Sequence, residues 1–376
     1  VIKLIYRDCC HMLSKTICFL LGTRAQLIKT APVALACHEL GLRTEMLWTG
    51  QHRETIDDLL ADFGLQDLEK EALYQGPEVN SIGRVAPWAW QCFRSSRQSH
   101  RMLFARYGVI VTHGDTFSTV LAAWLGRKSG IPVAHIEAGL RSFNLLNPFP
   151  EEINRLLTFR WSDIAYHPGE WAGNNLHRYK WLERIDTGQN TIVDAVRLAL
   201  GDELLEPPEQ PYAVCSIHRF ENIFFTGRLK SIIAAIEAAA EQVPIRFVLH
   251  SATRKRLEAT GLLQRLQAHP GIELLDRMGY FKFVRLLAGA RFVITDGGSN
   301  QEELSLLQVP TLIMRDHTER QEGLGSTAQL VKPDPGQLRT LIATLPVKVS
   351  RRPQIGGPSP ASIIAQHLAQ VLVKSC

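Results

Sequence analysis

Short, nearly continuous apolar runs alternate along the chain with longer stretches in which apolar positions recur every three or four residues. ICFLLGT (17–23) reads as a buried strand closing on Gly22, and 26–40 as a helix with Leu27, Ile28, Ala31 and Leu35 on one face. RTEMLWTG (43–50) is the next strand and 54–63 the next helix, and a longer helical region is expected within 80–106. GVIVTHGD (108–115) is a strand running into a polar turn, 116–128 a helix, IPVAHIE (131–137) a strand and 151–160 a helix. The same grammar restarts with strands YAVCSIH (212–218), RFVLHS (246–251), IELLD (272–276), RFVITDG (291–297) and PTLIMRD (310–316). GGPSP (356–360) then precedes an amphipathic helix over 361–373. Strands that are apolar throughout, rather than at alternate positions, are buried on both faces, as in parallel sheets covered by helices. The pattern predicts an α/β protein of two Rossmann-like, doubly wound domains facing a central cleft. Turn residues in IDTGQNTIVDAV mark the break, giving an N-terminal domain over 12–185 and a second over 186–357.

Composition narrows the class. With 376 residues, 45% hydrophobic and 21% charged, the chain has the make-up of a globular protein of about two domains. No run approaches the roughly 20 apolar residues of a membrane helix. The net charge of +5 is spread out and does not argue for nucleic acid. Cysteines at 9, 10, 18, 37, 92, 215 and 376 form no Cys-x-x-Cys pair, so neither a disulfide framework nor a zinc site is indicated, and a reducing cytoplasm is expected. Met12 reads as the natural start, with 1–11 an upstream extension outside the fold.

In doubly wound sheets ligands sit beyond the carboxyl ends of the strands, and the polar clusters fall there. GTRAQLIK (22–29) puts Arg24 and Lys29 near a helix N-terminus, which favours anions. In THGDTFST (112–119), Asp115 suits either catalysis or a helix N-cap. The densest stretch, HIEAGLRSFNLLNPFPEEINR (135–155), holds Glu137, Glu151 and Glu152 with Arg141 and Arg155, a set suited to acid–base work on an anionic substrate. SIHRFEN (216–222) places His218, Arg219 and Glu221 after a strand, and His250 ends another. TDGGSNQEE (295–303) leads through two glycines into a helix start where phosphate could approach backbone N–H groups and a carboxylate could take both ribose hydroxyls. RDHTERQEG (315–323) adds Arg315 and Arg320. There is no G-x-G-x-x-G or Walker fingerprint.

These blocks, in order, resemble the non-hydrolysing UDP-N-acetylglucosamine 2-epimerases. The matching motifs are GTR…IK…APV (22–33), TGQHRE (49–54), HGDT (113–116), H-x-EAGLRS (135–142), PFPEEINR (148–155), DTGQNT-x-x-DA (186–195), H-R-x-EN (218–222), TDGGSNQEE (295–303) and MRD-x-TER-x-EG (314–323). The resemblance implies two domains of the GT-B type, with the last helix (358–376) returning to the first. It implies a homodimer and a reversible 2-epimerisation of UDP-N-acetylglucosamine to UDP-N-acetylmannosamine, serving polysaccharide synthesis. The route would eliminate UDP to 2-acetamidoglucal and add it back, with neither cofactor nor metal.

By motif, Asp115, Glu137, Glu151 and His218 match the catalytic positions. Arg24, Lys29, Arg141, Asn154, Arg155, Arg219, His250, Gly298, Ser299, Glu303 and Arg320 match UDP or substrate positions. Gln51 and His52 match part of a regulatory site for a second UDP-N-acetylglucosamine. The chain departs from the family at Ala25–Gln26, where Pro–Glu is common, and at Gly297–Ser299, where Ser-Gly-Gly is common. A 2-epimerase of another UDP-2-acetamido sugar, a hydrolysing epimerase, a GT-B glycosyltransferase and a silent UDP-sugar sensor are the alternatives.

Overall fold

The computed structural model describes residues 15–49, 56–73, 106–145, 149–201, 208–318, 320–346 and 355–374. The extension 1–11 with Met12, the helical region expected within 80–106, and Gln51 and His52 lie outside the described residues. The chain divides into two compact units: unit 1 spans Val1–Ala195 and Gly357–Cys376, and unit 2 spans Val196–Gly356.

Unit 1 is built on a seven-stranded sheet of order β3-β2-β1-β4-β5-β6-β7. The strands are β1 (Thr16–Leu21), β2 (Thr44–Trp48), β3 (Glu69–Ala72), β4 (Tyr107–His113), β5 (Val133–Ile136), β6 (Ile164–His167) and β7 (Glu183–Asp186). All its pairings are parallel. Its helices are α1 (Arg24–Glu39), α2 (Ile56–Asp62), α3 (Phe117–Ser129), α4 (Glu151–Trp161), α5 (Glu170–Asn174) and α6 (Ile192–Leu200), the last crossing into unit 2. Every residue of β1 and β4 is buried, as continuous apolar runs require of central strands.

The strands that sequence pattern missed are mostly the edges. Glu69–Ala72 and Glu183–Asp186 are largely polar and exposed, because an edge strand has only one neighbour and little apolar area to bury. β6 (IAYH) is buried but only four residues long, too short to stand out beside α4.

Unit 2 repeats the scheme with a six-stranded parallel sheet of order β10-β9-β8-β11-β12-β13. Its strands are β8 (Ala213–Ser216), β9 (Ile245–Leu249), β10 (Ile272–Asp276), β11 (Val293–Thr295), β12 (Thr311–Ile313) and β13 (Ala328–Leu330). The helices are α7 (Phe220–Ile223), α8 (Thr226–Ala240), α9 (Ser251–Ala259), α10 (Leu262–Gln267), α11 (Tyr280–Ala288), α12 (Gly298–Leu307) and α13 (Pro335–Thr344). One apolar cluster runs from β8 and β9 through Ile232, Ile236, Phe292, Leu312 and Leu338. β8 and β11 end earlier than their apolar runs suggest. The chain leaves the ladder there because the Asp296 carboxylate accepts the backbone N–H of His218 at 3.0 Å.

The chain then returns to unit 1 as α14 (Pro360–Lys374), which packs on α1 and β4. Its start is tied by the Ala361 N–H donating to the buried Asp194 carboxylate at 2.8 Å, and its middle by a 2.9 Å bond between Tyr166 and His367. At Gly108 an added Cβ would stand 2.4 Å from Leu372, so the α14 side chains press directly on β4.

His135 of β5 is buried, its Nε2 2.7 Å from the Gly114 carbonyl. Burial pulls its pKa from 6.5 down to about 4, although the Gly114 carbonyl pushes the other way. Between those two values the unfolded chain binds more protons than the folded one, so stability is lost as pH falls from 6.5 toward 4. In His135→Gln the fall in melting temperature over that window should flatten. An unchanged slope would show that other groups carry the acid sensitivity.

Candidate active site

Both sheets reverse their winding at one place: between β1 and β4 in unit 1, and between β8 and β11 in unit 2. Loops leaving the two central strands part there, which is where open α/β sheets bind ligands. The clusters after β1, β4, β8 and β11 sit at these points, and those at 135–155 and 315–323 follow the neighbouring strands β5 and β12.

In unit 1 the loop after β1 starts α1 at Arg24, and one turn on it buries Lys29. Lys29 Nζ lies 2.8 Å from Glu137 Oε2, with both side chains only 5% exposed. Glu137 follows β5 with φ of 63°, a left-handed conformation costly for a residue with a side chain and tolerated where the surroundings enforce it. His113, at the end of β4, places Nε2 2.8 Å from the same oxygen, although its ring is not aligned to donate. The sequence reading did not single out His113 among site residues; its place in HGDT, at a strand end one β-strand from Glu137, was the available signal.

Asp115 does not cap α3. Thr116 precedes that helix, and the Asp115 carboxylate instead accepts from Arg155 Nε at 2.9 Å and Nη2 at 2.5 Å. Asn154 donates to the Asp115 carbonyl at 2.8 Å. Glu152, fully buried, accepts from Arg141 Nε at 2.5 Å and from the Ser142 N–H at 2.9 Å, and lies 3.3 Å from Arg155 Nη1. Burial alone would raise the Glu152 pKa, but the Ser142 N–H and Arg141 outweigh it and hold it below the usual carboxylate range. Glu151 starts α4, and its Oε2 is buried without a hydrogen bond among the described residues. Arg141 and Arg155, read from sequence as substrate-binding, are thus engaged with carboxylates of the same unit.

In unit 2 the organising group is Asp296, which sequence reading passed over. Fully buried after β11, it accepts from the N–H groups of His218 and Arg219 and from Asn222 Nδ2 at 2.9–3.1 Å. Asn222 also donates to the Met314 carbonyl and accepts from Arg228. The loop that carries His218 is therefore locked to the ends of β11 and β12. His218 stacks on His250 with ring centroids 4.4 Å apart, and burial lowers its pKa, opposed by Asp296. Space at Gly297 is tight: a Cβ there would stand 3.0 Å from the His218 ring and 2.7 Å from Asn300 Oδ1, so the Asn300 side chain would have to shift.

Gly298 and Ser299 open α12, with Gln301, Glu302 and Glu303 buried in its first turns. Gln301 Nε2 donates to the carbonyls of Arg320 and Glu322, pinning the loop after β12. It is Glu302 that pairs with Arg320, while Glu303 lies buried beside it in sequence. Among the described residues no group of three or more His, Cys, Asp or Glu is placed to hold a metal ion, and no helix is long and apolar enough to cross a membrane.

The family model described as UDP-N-acetylglucosamine 2-epimerase matches residues 35–354. A UDP-N-acetylglucosamine 2-epimerase of Methanocaldococcus jannaschii is 32% identical over 330 residues, covering 84% of this chain and 87% of that protein. A UDP-2,3-diacetamido-2,3-dideoxy-D-glucuronate 2-epimerase of Pseudomonas aeruginosa is 29% identical over 370 residues, 94% of this chain and 99% of that one. The crystal structure of the M. jannaschii enzyme in complex with UDP-GlcNAc and UDP superposes with a TM-score of 0.74 at 28% identity, covering 94% of this chain and 99% of that chain. With a two-unit, parallel-sheet α/β fold of the kind those enzymes share and a family match over most of its length, the chain belongs to the UDP-N-acetylglucosamine 2-epimerase family of isomerases.

Proposed function

We propose that the protein interconverts UDP-N-acetylglucosamine and UDP-N-acetylmannosamine by eliminating UDP and adding it back. A base takes the C2 hydrogen as a proton, and its electron pair becomes the C1–C2 double bond of 2-acetamidoglucal. The C1–O bond breaks, and its electron pair leaves on the β-phosphate oxygen of UDP. Re-addition of UDP at C1, with a proton delivered to the other face of C2, completes the inversion. Oxidation states are restored at the end, so the route calls for no nicotinamide.

The observation that carries this reading is the trio Asp115, Glu137 and Glu151 beyond β4 and β5 and at the start of α4, each in a different state of pairing. Glu151, with one buried oxygen that has no hydrogen-bond partner among the described residues, suits proton abstraction. Glu137 beside Lys29, and Asp115 held by Arg155, suit stabilising charge on the sugar and returning the proton. Arg24, His218, Arg219, His250 and the α12 start at Gly298 and Ser299 are the candidates for the diphosphate, and Glu303 and Arg320 for the nucleoside. Arg141, Asn154 and Arg155 then act by holding carboxylates and the Asp115 backbone. The expected assembly is a homodimer working in the cytoplasm. The P. aeruginosa relative, aligned over nearly the whole chain, supports a second reading in which the substrate is another UDP-2-acetamido sugar.

Incubation with each UDP-sugar alone in heavy water, followed by NMR, separates these readings. Epimerised product carrying deuterium at C2, with small amounts of UDP and the glycal, is expected. Epimer with protium fully retained at C2 sinks the elimination route. Free N-acetylmannosamine would mean hydrolysis, and no turnover without an acceptor would mean a transferase or a sensor. Changing Asp115, Glu137 or Glu151 to its amide should cut kcat by roughly 10²–10⁴ with much smaller change in affinity.

Glu303→Ala should raise KM and weaken UDP binding while kcat stays near its original value, since a ribose contact is made equally before and at the transition state. UDP affinity unchanged on titration calorimetry would remove Glu303 from the nucleotide site.

A further inference from the structure

We infer that Gln26 is a positioning residue of the reaction, whose neutral amide clamps together the two loops that part at the β1/β4 switch point. The inference rests on the proposed roles of Lys29, Asp115 and Glu137.

Gln26 occupies the first turn of α1 and is only 2% exposed. Its Oε1 accepts the N–H groups of Gly22 at 2.9 Å and Thr23 at 3.1 Å, both in the loop after β1. The same oxygen accepts the Ser118 hydroxyl at 2.9 Å, in the first turn of α3. Its Nε2 donates to the His113 carbonyl at 2.7 Å and to Thr119 Oγ1 at 3.0 Å, at the end of β4 and the start of α3. Thr119 Oγ1 in turn donates to the His113 carbonyl and accepts the Thr116 N–H. Oε1 therefore reaches both loops, and Nε2 fixes the amide to the β4 side. On the β1 side the clamp sets the start of the helix that delivers Arg24 and Lys29. On the β4 side it sets the backbone of His113 to Thr116, which carries Asp115.

The pattern of partners suits a neutral group that both donates and accepts, an amide or a protonated carboxyl. On one side stand four donors, the fourth being the Thr23 hydroxyl at 3.4 Å, on the other a carbonyl and a hydroxyl that already donates elsewhere. An ionised carboxylate would accept on the first side and meet the His113 carbonyl oxygen on the other with no proton to offer. A protonated carboxyl would reproduce both halves. The titratable and charged groups in the first turns of α1 and at the ends of the neighbouring strands are Arg24 and Lys29, His113 and Asp115 at and after the end of β4, and His135 and Glu137 of the β5 segment. Lys29 is engaged by Glu137 and Asp115 by Arg155. Burial favours the neutral form of a carboxyl at this site.

Two variants test this. Gln26→Met keeps the length of the side chain and removes the clamp. Its kcat should fall by roughly 10- to 100-fold, because small displacements of reacting groups are costly, while KM stays within about threefold. Gln26→Glu should work while its carboxyl is protonated, so its kcat relative to the parent should fall by at least about tenfold between about pH 6 and about pH 9. Gln26→Met with the parent's kcat overturns the inference. So does Gln26→Glu whose kcat relative to the parent is flat across that range, and this second readout stands even if the Met variant does not fold. A parent protein that turns over no UDP-sugar would instead overturn the proposed function.

Discussion

A parallel sheet wound in both directions has one seam where neighbouring strands send their chains to opposite faces. The gap it opens is useful for binding, but nothing in the ladder holds the diverging loops in register. In this protein each seam is closed by one buried side chain that reaches across it. Gln26 joins the ends of β1 and β4, and Asp296 joins the ends of β8 and β11. The remaining site geometry in each unit hangs from that tie. Lys29 and Asp115 are placed from the first, His218 and Arg219 from the second.

The second constraint is the cost of burying charge. Removing one partner of a buried ion pair typically costs about 3–5 kcal/mol, because the other is left uncompensated. Glu137, Glu152 and Asp296 are all buried, so donors must converge on them, and those donors come from the residues that sequence suggests for binding anions. Arg141 and Arg155 go to Glu152 and Asp115, and Lys29 goes to Glu137. The cations of unit 1 thus hold carboxylates at set positions, and a bound anion would have to compete with them. In unit 2 the balance differs: Asp296 is satisfied mainly by backbone N–H groups and Asn222, which leaves the His218 ring to stack on His250.

Much of this was legible in the chain. Central strands announce themselves as apolar runs such as ICFLLGT and YAVCSIH, and the polar clusters that follow them fall at the carboxyl ends as the winding dictates. Edge strands such as Glu69–Ala72 did not show, because they bury too little apolar surface to leave a pattern. Strand ends were overestimated where a side chain pulls the backbone out of the ladder, as Asp296 does to His218. Among candidate site residues, those whose type suggests chemistry stand out in the sequence. Those that act by holding backbone do not, since a buried Gln or a strand-end Asp looks the same in sequence whether it clamps a loop or merely caps a helix. His113 was missed for a related reason: its proximity to Glu137 exists only once β4 and β5 are side by side.

The two ties differ in charge, and the difference follows from what each must reach. Asp296 looks out on donors alone: two N–H groups and the Asn222 amide. An acceptor with two oxygens suits that setting, and its negative charge is spread over several hydrogen bonds that each strengthen because the acceptor is ionised. Gln26 looks out on donors from the β1 loop and Ser118 but on acceptors from β4 and Thr119. A carboxylate could satisfy only half of that ring and an ammonium only the other half. An amide carries both functions without net charge, so it also leaves undisturbed the field in which Lys29, Glu137 and Asp115 are balanced close by. The seam of unit 1 therefore asks for a neutral residue and the seam of unit 2 for a charged one, although the two folds place the tie at the same point.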